Sequence, residues 1–248
     1  MRKLKYRLAV AAGSCASLLT RRQHTAGVRV LMFHGVGDDV DADHDLYNHS
    51  ADQFFAQVSA ITDWVQRTQT SIVPLSKEHF SGVSLTFDDG YSSLYHTIAP
   101  HLIERNIPFH IFVPPACSHE METLHLSHNQ LRSLASESMI GIGAHGYHHR
   151  SLTKLDDNEL INELVQSRSE LSRITGSEVE TMSYPFGQHD ERVRRAVRQA
   201  GFTLAATSTP GWMTSTSDLL QVPRIDIWAL DSPRTVISKL QGGWDWLL

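Results

Sequence analysis

The chain has almost no cysteine. Its 248 residues hold two, Cys15 and Cys117, and neither sits in a C-x-x-C pair. At most one bridge can form, which excludes a disulfide framework and a thiolate zinc site. An excess of positive charge is also lacking. The net charge is -5, so no global signature of nucleic-acid binding is present. No apolar run approaches the roughly 20 residues needed to span a bilayer. The best candidate, residues 8 to 19, is short and is broken by Gly13, Ser14 and Ser17. Internal repeats, low-complexity segments and linkers are absent, so the length fits a single α/β domain.

The charge is spread unevenly. Residues 1 to 22 carry six cations and no acid, which leaves 16 cations against 27 acids in the remainder. Leu4, Leu8, Ala11, Cys15 and Leu18 fall on one helical stripe. Residues 1 to 27 therefore read as a basic amphipathic segment ahead of a domain over 28 to 248. Such a helix would pack on the domain or make peripheral contact with an anionic membrane. A cytoplasmic protein, or one at the inner membrane face, is expected; a cleaved signal and export is the alternative. The sequence is silent on oligomeric state.

Beyond residue 27, strand and helix patterns alternate. "VRVLMF" (28–33), "VSLTF" (83–87), "PFHIFV" (108–113), "MIGIGAH" (139–145), "ETMSYPF" (180–186), "FTLAAT" (202–207) and "RIDIWA" (224–229) read as strands. Residues 50–65, 95–106, 127–137, 156–176 and 190–201 read as helices. Ser50 with Gln53 and Ser127 with Gln130 are capping-box pairs, Asp156 is an N-cap, and Gly176 ends the longest helix. Phe54, Val58, Ile61 and Val65 stripe one helix, and Leu160, Leu164, Leu171 and Ile174 another. Alternation of this kind predicts a parallel sheet with crossover helices, closed into a (β/α) barrel of about seven or eight strands.

Polar residues gather at the ends of these strands, where barrels and open α/β sheets place their chemistry. His34 follows the first strand, and Asp88 and Asp89 the second. His145, His148 and His149 follow "MIGIGA"; Tyr184 to Gly187 follow "ETMS"; Arg224 and Asp226 flank the start of the last strand. Two adjacent carboxylates at a buried strand end repel one another unless something positive sits there. A borderline divalent ion such as zinc takes imidazole and carboxylate ligands. In "HGYHH" the four-residue and three-residue spacings each put two imidazoles on one face of a helical turn. Asp88 or Asp89 would complete two histidines and one aspartate, with the other carboxylate left free as a base.

These motifs carry a resemblance. "TFDDG" (86–90), "HGYHH" (145–149) and "YPFG" (184–187), with "LSHNQLRSLA" before the histidines and "RSLTKL" after them, resemble the polysaccharide deacetylase family. That family is carbohydrate esterase family four, and its shared unit is the NodB homology domain. The likeness covers roughly residues 28 to 230. It implies a distorted (β/α) barrel and hydrolysis of N-acetyl groups on the amino sugars of an acetylated glycan. It implies a divalent metal: zinc first, with nickel, cobalt or iron(II) as alternatives. It implies Asp88 as general base, Asp89, His145 and His149 as metal ligands, and the Phe186 N–H, with Tyr184 beside it, at the substrate oxyanion.

Two family features are missing. Many members carry an arginine just before the "P-[FY]-G" motif, where this chain has Ser183 and Tyr184; Arg224 is the candidate replacement. Many also carry a late catalytic histidine, and no histidine follows Arg224 here. "VLMFHGV" is similar to the first strand of the poly-N-acetylglucosamine deacetylase branch, which makes His34 the candidate acid and implies a place in exopolysaccharide biosynthesis. Two alternatives stand beside this one. One is a related metal amidohydrolase acting on a small imide or formamide. The other is a non-catalytic sugar-binding barrel, disfavoured by the intact Asp88, Asp89, His145 and His149.

Overall fold

A computed structural model describes residues 27–37, 46–117 and 124–246. The amphipathic segment expected over residues 1 to 27 lies outside the described residues apart from its last position. Among the described residues, no helix is long and apolar enough to cross a membrane.

Seven parallel strands form one curled sheet. In chain order they are β1 (Val28–Phe33), β4 (Gly82–Phe87), β5 (Phe109–Val113), β6 (Ile140–Ala144), β7 (Thr181–Ser183), β8 (Leu204–Ala206) and β9 (Ile225–Asp226). The spatial order is β8-β7-β6-β5-β4-β1-β9. A second pair, β2 (Gly35–Val36) and β3 (Asn48–His49), was not foreseen and sits beside the mouth. β1 and β4 are buried along their whole length. Burial of every position is what a parallel strand covered on both faces shows, and their polar members Arg29, Ser84 and Thr86 are buried with the rest.

The crossover helices are α1 (Ala51–Thr68), α2 (Ala99–Glu104), α3 (His128–Ala135), α4 (Asp157–Thr175) and α5 (Glu191–Gln199), followed by α6 (Pro233–Leu240). Their ends follow local chemistry. Ser50 with Gln53, Ser127 with Gln130 and Asp156 with Glu159 each form both bonds of a capping box. Gly176 ends α4 in the left-handed conformation. Pro100 sits in the first turn of α2, directly after a π-helical turn, Leu94–Ile98. The sequence reading missed α6, although Ser232 caps it and Pro233 opens it.

The curl is closed by one short stretch of chain. Val222 pairs with β8, its N–H donating to Ala205 O at 2.9 Å and its carbonyl accepting from Thr207 N at 2.8 Å. Three residues later Ile225 pairs with Leu31 of β1, and Asp226 with Met32. Residues 222 to 226 thus join the two sides of the sheet as a distorted barrel, with Arg224 between the two sets of bonds.

The barrel interior is not wholly apolar. His110 of β5 is buried and shares a 2.8 Å hydrogen bond with Thr181 Oγ1. Burial, helped by the Arg224 charge and opposed by Asp88, lowers its pKa to about 3. Burial likewise pushes His49 down to about 4. Both are neutral in the native chain, whereas an unfolded histidine titrates near ~6.5. Below that value the unfolded state binds more protons, so stability is full above pH ~6.5 and is lost as pH falls toward the native pKa values. Urea denaturation between pH 7.5 and 4 should show this decline. His110→Asn should flatten it by about 3 kcal/mol across the window; an unchanged slope would remove His110 as its source.

Candidate metal and catalytic site

All eight residues singled out from the sequence line one cleft of about 180 Å³ at the C-terminal rim of the barrel. The backbone explains how neighbouring residues reach it together. Asp88 N donates to Phe33 O at 3.0 Å, so Asp88 still continues the β1–β4 ladder. Asp89 (φ 71°) and Gly90 (φ 67°) then both enter the left-handed region. This breaks the two-residue alternation of the strand and turns the second carboxylate to the mouth beside the first. Gly90 is needed twice over, since a Cβ there would also lie 2.9 Å from Val113 Cγ1.

Asp88 is buried at the centre of a dense network. Its Oδ1 accepts from Arg224 Nη1 at 2.7 Å and its Oδ2 from Arg224 Nη2 at 2.8 Å. Ser183 Oγ adds a third donor at 3.1 Å. Arg224 gives its remaining N–H groups to Thr207 O, Thr86 Oγ1 and Ser183 Oγ. All five donors of the guanidinium are used. Burial alone would raise the Asp88 pKa, but the charge of Arg224, then that of His145, outweighs it and holds the carboxylate low. Arg224 therefore supplies the cation missing before "PFG". It acts by positioning Asp88 and has no donor left for a substrate.

His145 lies at the end of β6, its N–H donating to Val113 O at 3.0 Å. Its Nδ1 is 2.9 Å from the Ser183 carbonyl, which can only accept, so Nδ1 carries a proton. In the neutral ring Nε2 then offers a lone pair. That Nε2 lies 3.4 Å from Asp89 Oδ1, and His149 Nε2 lies 3.4 Å from the same oxygen. The three ligand atoms fall within 4.8 Å of one another. Acceptors facing one another at this distance need a cation or a proton between them. A tetrahedral ion with bonds of ~2.0–2.1 Å spaces its ligand atoms roughly 3.3–3.4 Å apart, so the donor set fits a divalent ion.

The same contacts set the electrostatics of the site. Burial opposes ionisation of Asp89, but the hydrogen bond from His145 and the charges of His34, His145 and His149 outweigh it and hold the carboxylate low. For His145, burial is outweighed by Asp88 and Asp89, and the pKa rises. For His149, burial and the nearby His145 lower it to about 4. His148 takes no part: its Nδ1 turns away to Glu163 Oε2 at 2.9 Å.

A family model described as "Polysaccharide deacetylase" matches residues 76–205. That is more than half of the chain. The protein belongs to the polysaccharide deacetylase family. Among its curated relatives, YxkH of Bacillus subtilis (strain 168), itself named as a polysaccharide deacetylase, is 25% identical over 146 residues. That match takes in 58% of this chain and 51% of YxkH. Chitin deacetylase 1 of Cryptococcus neoformans var. grubii is 30% identical over 137 residues, 54% of this chain but 27% of that protein. The matches thus span about half of one relative's own length and about a quarter of the other's. Among solved structures, the deacetylase PplD of Streptococcus pyogenes superposes with a TM-score of 0.75 at 17% identity, covering 86% of this chain and 97% of PplD. IcaB of Ammonifex degensii gives a TM-score of 0.71 at 21% identity, with 90% and 98% covered. At those identities the two share the deacetylase fold with this chain.

The remaining site residues divide. His34 lines the cleft with its ring 4.3 Å from that of Tyr47, and among the described residues its buried Nδ1 has no hydrogen-bond partner. Phe186 (φ 59°) packs its ring 4.6 Å from that of His149 and is 60% exposed. Tyr184 lines the cleft beside Phe186, but its side chain is buried and its hydroxyl donates to Leu220 O at 2.8 Å, so the hydroxyl anchors the turn at Leu219–Gln221 and has no proton free for a substrate.

Sequence reasoning gave no role to Ser183, Glu163 or Asp226. Asp226 lines the cleft, and burial raises its pKa against the charges of His34, Lys239 and Arg224. Its signal was the strand-end position. Ser183 and Glu163 gave none beyond their neighbours.

Removing one partner of a buried ion pair typically costs about 3–5 kcal/mol, because the other charge is stranded. Arg224→Met should therefore lose stability of that order in chemical denaturation. Adding Asp88→Asn should recover part of the loss, since the stranded charge is then gone. Strictly additive losses would show that the pair is not coupled.

Proposed function

We propose that the protein is a metal-dependent N-deacetylase acting on amino sugars of a polysaccharide or glycan. The observation that carries this is the face-to-face approach of His145 Nε2 and Asp89 Oδ1, with His149 Nε2 on the same oxygen. Family membership and the partial match to a chitin deacetylase support an N-acetylated amino sugar as the reacting unit.

Asp89, His145 and His149 would hold the ion. When bound, a divalent ion polarises the acetyl carbonyl and lowers the pKa of water. Asp88 takes the proton of the attacking water. It is suited to this because the Arg224 pair keeps it ionised and fixed in place. Three donors occupy its roughly four acceptor sites, which leaves one for water. The Phe186 N–H, held at the turn after Pro185, is assigned to the developing oxyanion. His34, which lines the same cleft within electrostatic reach of Asp226, protonates the leaving nitrogen. Water and amide are consumed; acetate and a free amine leave.

Acetate release from acetylated glucosamine oligomers tests the reading, with chelator as the control. Asp88→Asn should keep its metal and lose about 10²–10⁴-fold in turnover, the usual worth of a general base. Asp89→Asn should lose metal instead. Release from a small imide or formamide, with none from the oligomers, would favour the amidohydrolase alternative, and silence on both would favour a binding protein.

His34 has its own test. An amine leaving group needs a proton, whereas the leaving group of an activated acetyl ester does not. His34→Gln should fold, keep its metal, and lose far more turnover on the amide than on the ester. Equal losses on both substrates would remove His34 as the acid.

A further inference from the structure

The turn that carries His145 and His149 is too irregular to hold itself. Gly146 (φ 69°) and His149 (φ 55°) both lie in the left-handed region, and the Tyr147 and His148 amides between them point the same way. Successive amides in such a conformation form a concavity that attracts an anion. Glu163 fills it. This carboxylate is buried, although it sits on the apolar stripe of α4 between Leu160 and Leu164. Its Oε1 accepts from Tyr147 N at 2.9 Å and from His148 N at 2.6 Å, and its Oε2 lies 2.9 Å from His148 Nδ1. A Cβ at position 146 would come within 3.3 Å of Oε1, so glycine lets the carboxylate close in.

A buried carboxylate is costly unless it is fully bonded. An apolar residue at 163 would continue the stripe and pack against β6 without that cost. The helix instead spends a buried position on gripping two of the three residues that separate His145 from His149. We propose that Glu163 is a positioning residue for the metal site. It clamps the Tyr147–His148 amides, and so fixes the separation and direction of the His145 and His149 imidazoles. It touches neither ion nor substrate. The proposal rests on the reading of Asp89, His145 and His149 as metal ligands.

Groups that orient metal ligands are typically worth about 10–100-fold in metal affinity. The test is zinc titration of the apoprotein against a chromophoric chelator, with apo melting temperatures recorded alongside. Glu163→Leu continues the apolar stripe and removes both acceptor oxygens, so the amide clamp is lost. It should weaken zinc binding about tenfold or more, while excess zinc restores turnover. Glu163→Gln retains one oxygen for the two amides and should bind zinc more tightly than Glu163→Leu. His148→Ala keeps both amide bonds and should bind zinc close to wild type. Should Glu163→Leu melt lower yet bind zinc as tightly as wild type, Glu163 is a fold residue only and the proposal is overturned. Should His148→Ala weaken zinc binding as much as Glu163→Leu, the imidazole contact and not the amide clamp is responsible, and the proposal is overturned in that form. A wild-type chain that binds no divalent ion would sink the metal reading itself, a result distinct from either.

Discussion

The Arg224–Asp88 pair is the interaction on which the rest depends. A carboxylate so deeply buried would surrender its charge unless a cation met it with good geometry. Arg224 meets it with two parallel bonds and spends its other donors on Thr86, Ser183 and Thr207. Those partners come from β4, from β7 and from the chain just past β8. The arginine itself rides on the segment that joins β8 to β1. Closing the barrel and ionising Asp88 are therefore one event.

A second constraint follows at the mouth. Of the five non-glycine residues with positive φ among the described residues, Asp89, His149 and Phe186 lie in the cleft. The other two, Gln69 and Asn106, follow helices. Unusual backbone is held where neighbours over-determine it. Asp89 is held by the strand ladder before it and by Gly90 after it. His149 is held through the turn that Glu163 grips. Ser183 ties the two halves together, since its hydroxyl serves Asp88 and its carbonyl serves His145. One small residue at the end of β7 thus links Asp88 to His145.

Much of this was legible in the chain. The period of the apolar residues and the capping pairs placed five of the helices and the strands of the main sheet, because those signals act over a few residues. The cleft set was also legible, because parallel strands must deliver their C-terminal ends to one rim. Other features escaped, and three show why. α6 is short and partly polar, so its stripe was not visible. Tyr184 resembled a motif residue, and only packing against Leu220 revealed where its hydroxyl goes. Glu163 looked like an ordinary charge on an amphipathic helix until the turn it serves was folded above it.

The sequence by itself determined the alternation of strand and helix, the helix ends, and the identity of the carboxylates and imidazoles at the strand ends. These depend on local backbone preference and on the chemistry of each side chain. The tertiary structure alone decided what surrounds each of them. Asp88 and Asp89 are adjacent and chemically identical. One faces an arginine 136 positions away, and the other faces two imidazoles. Electrostatic fields depend on distance in space, and folding sets that distance independently of position along the chain.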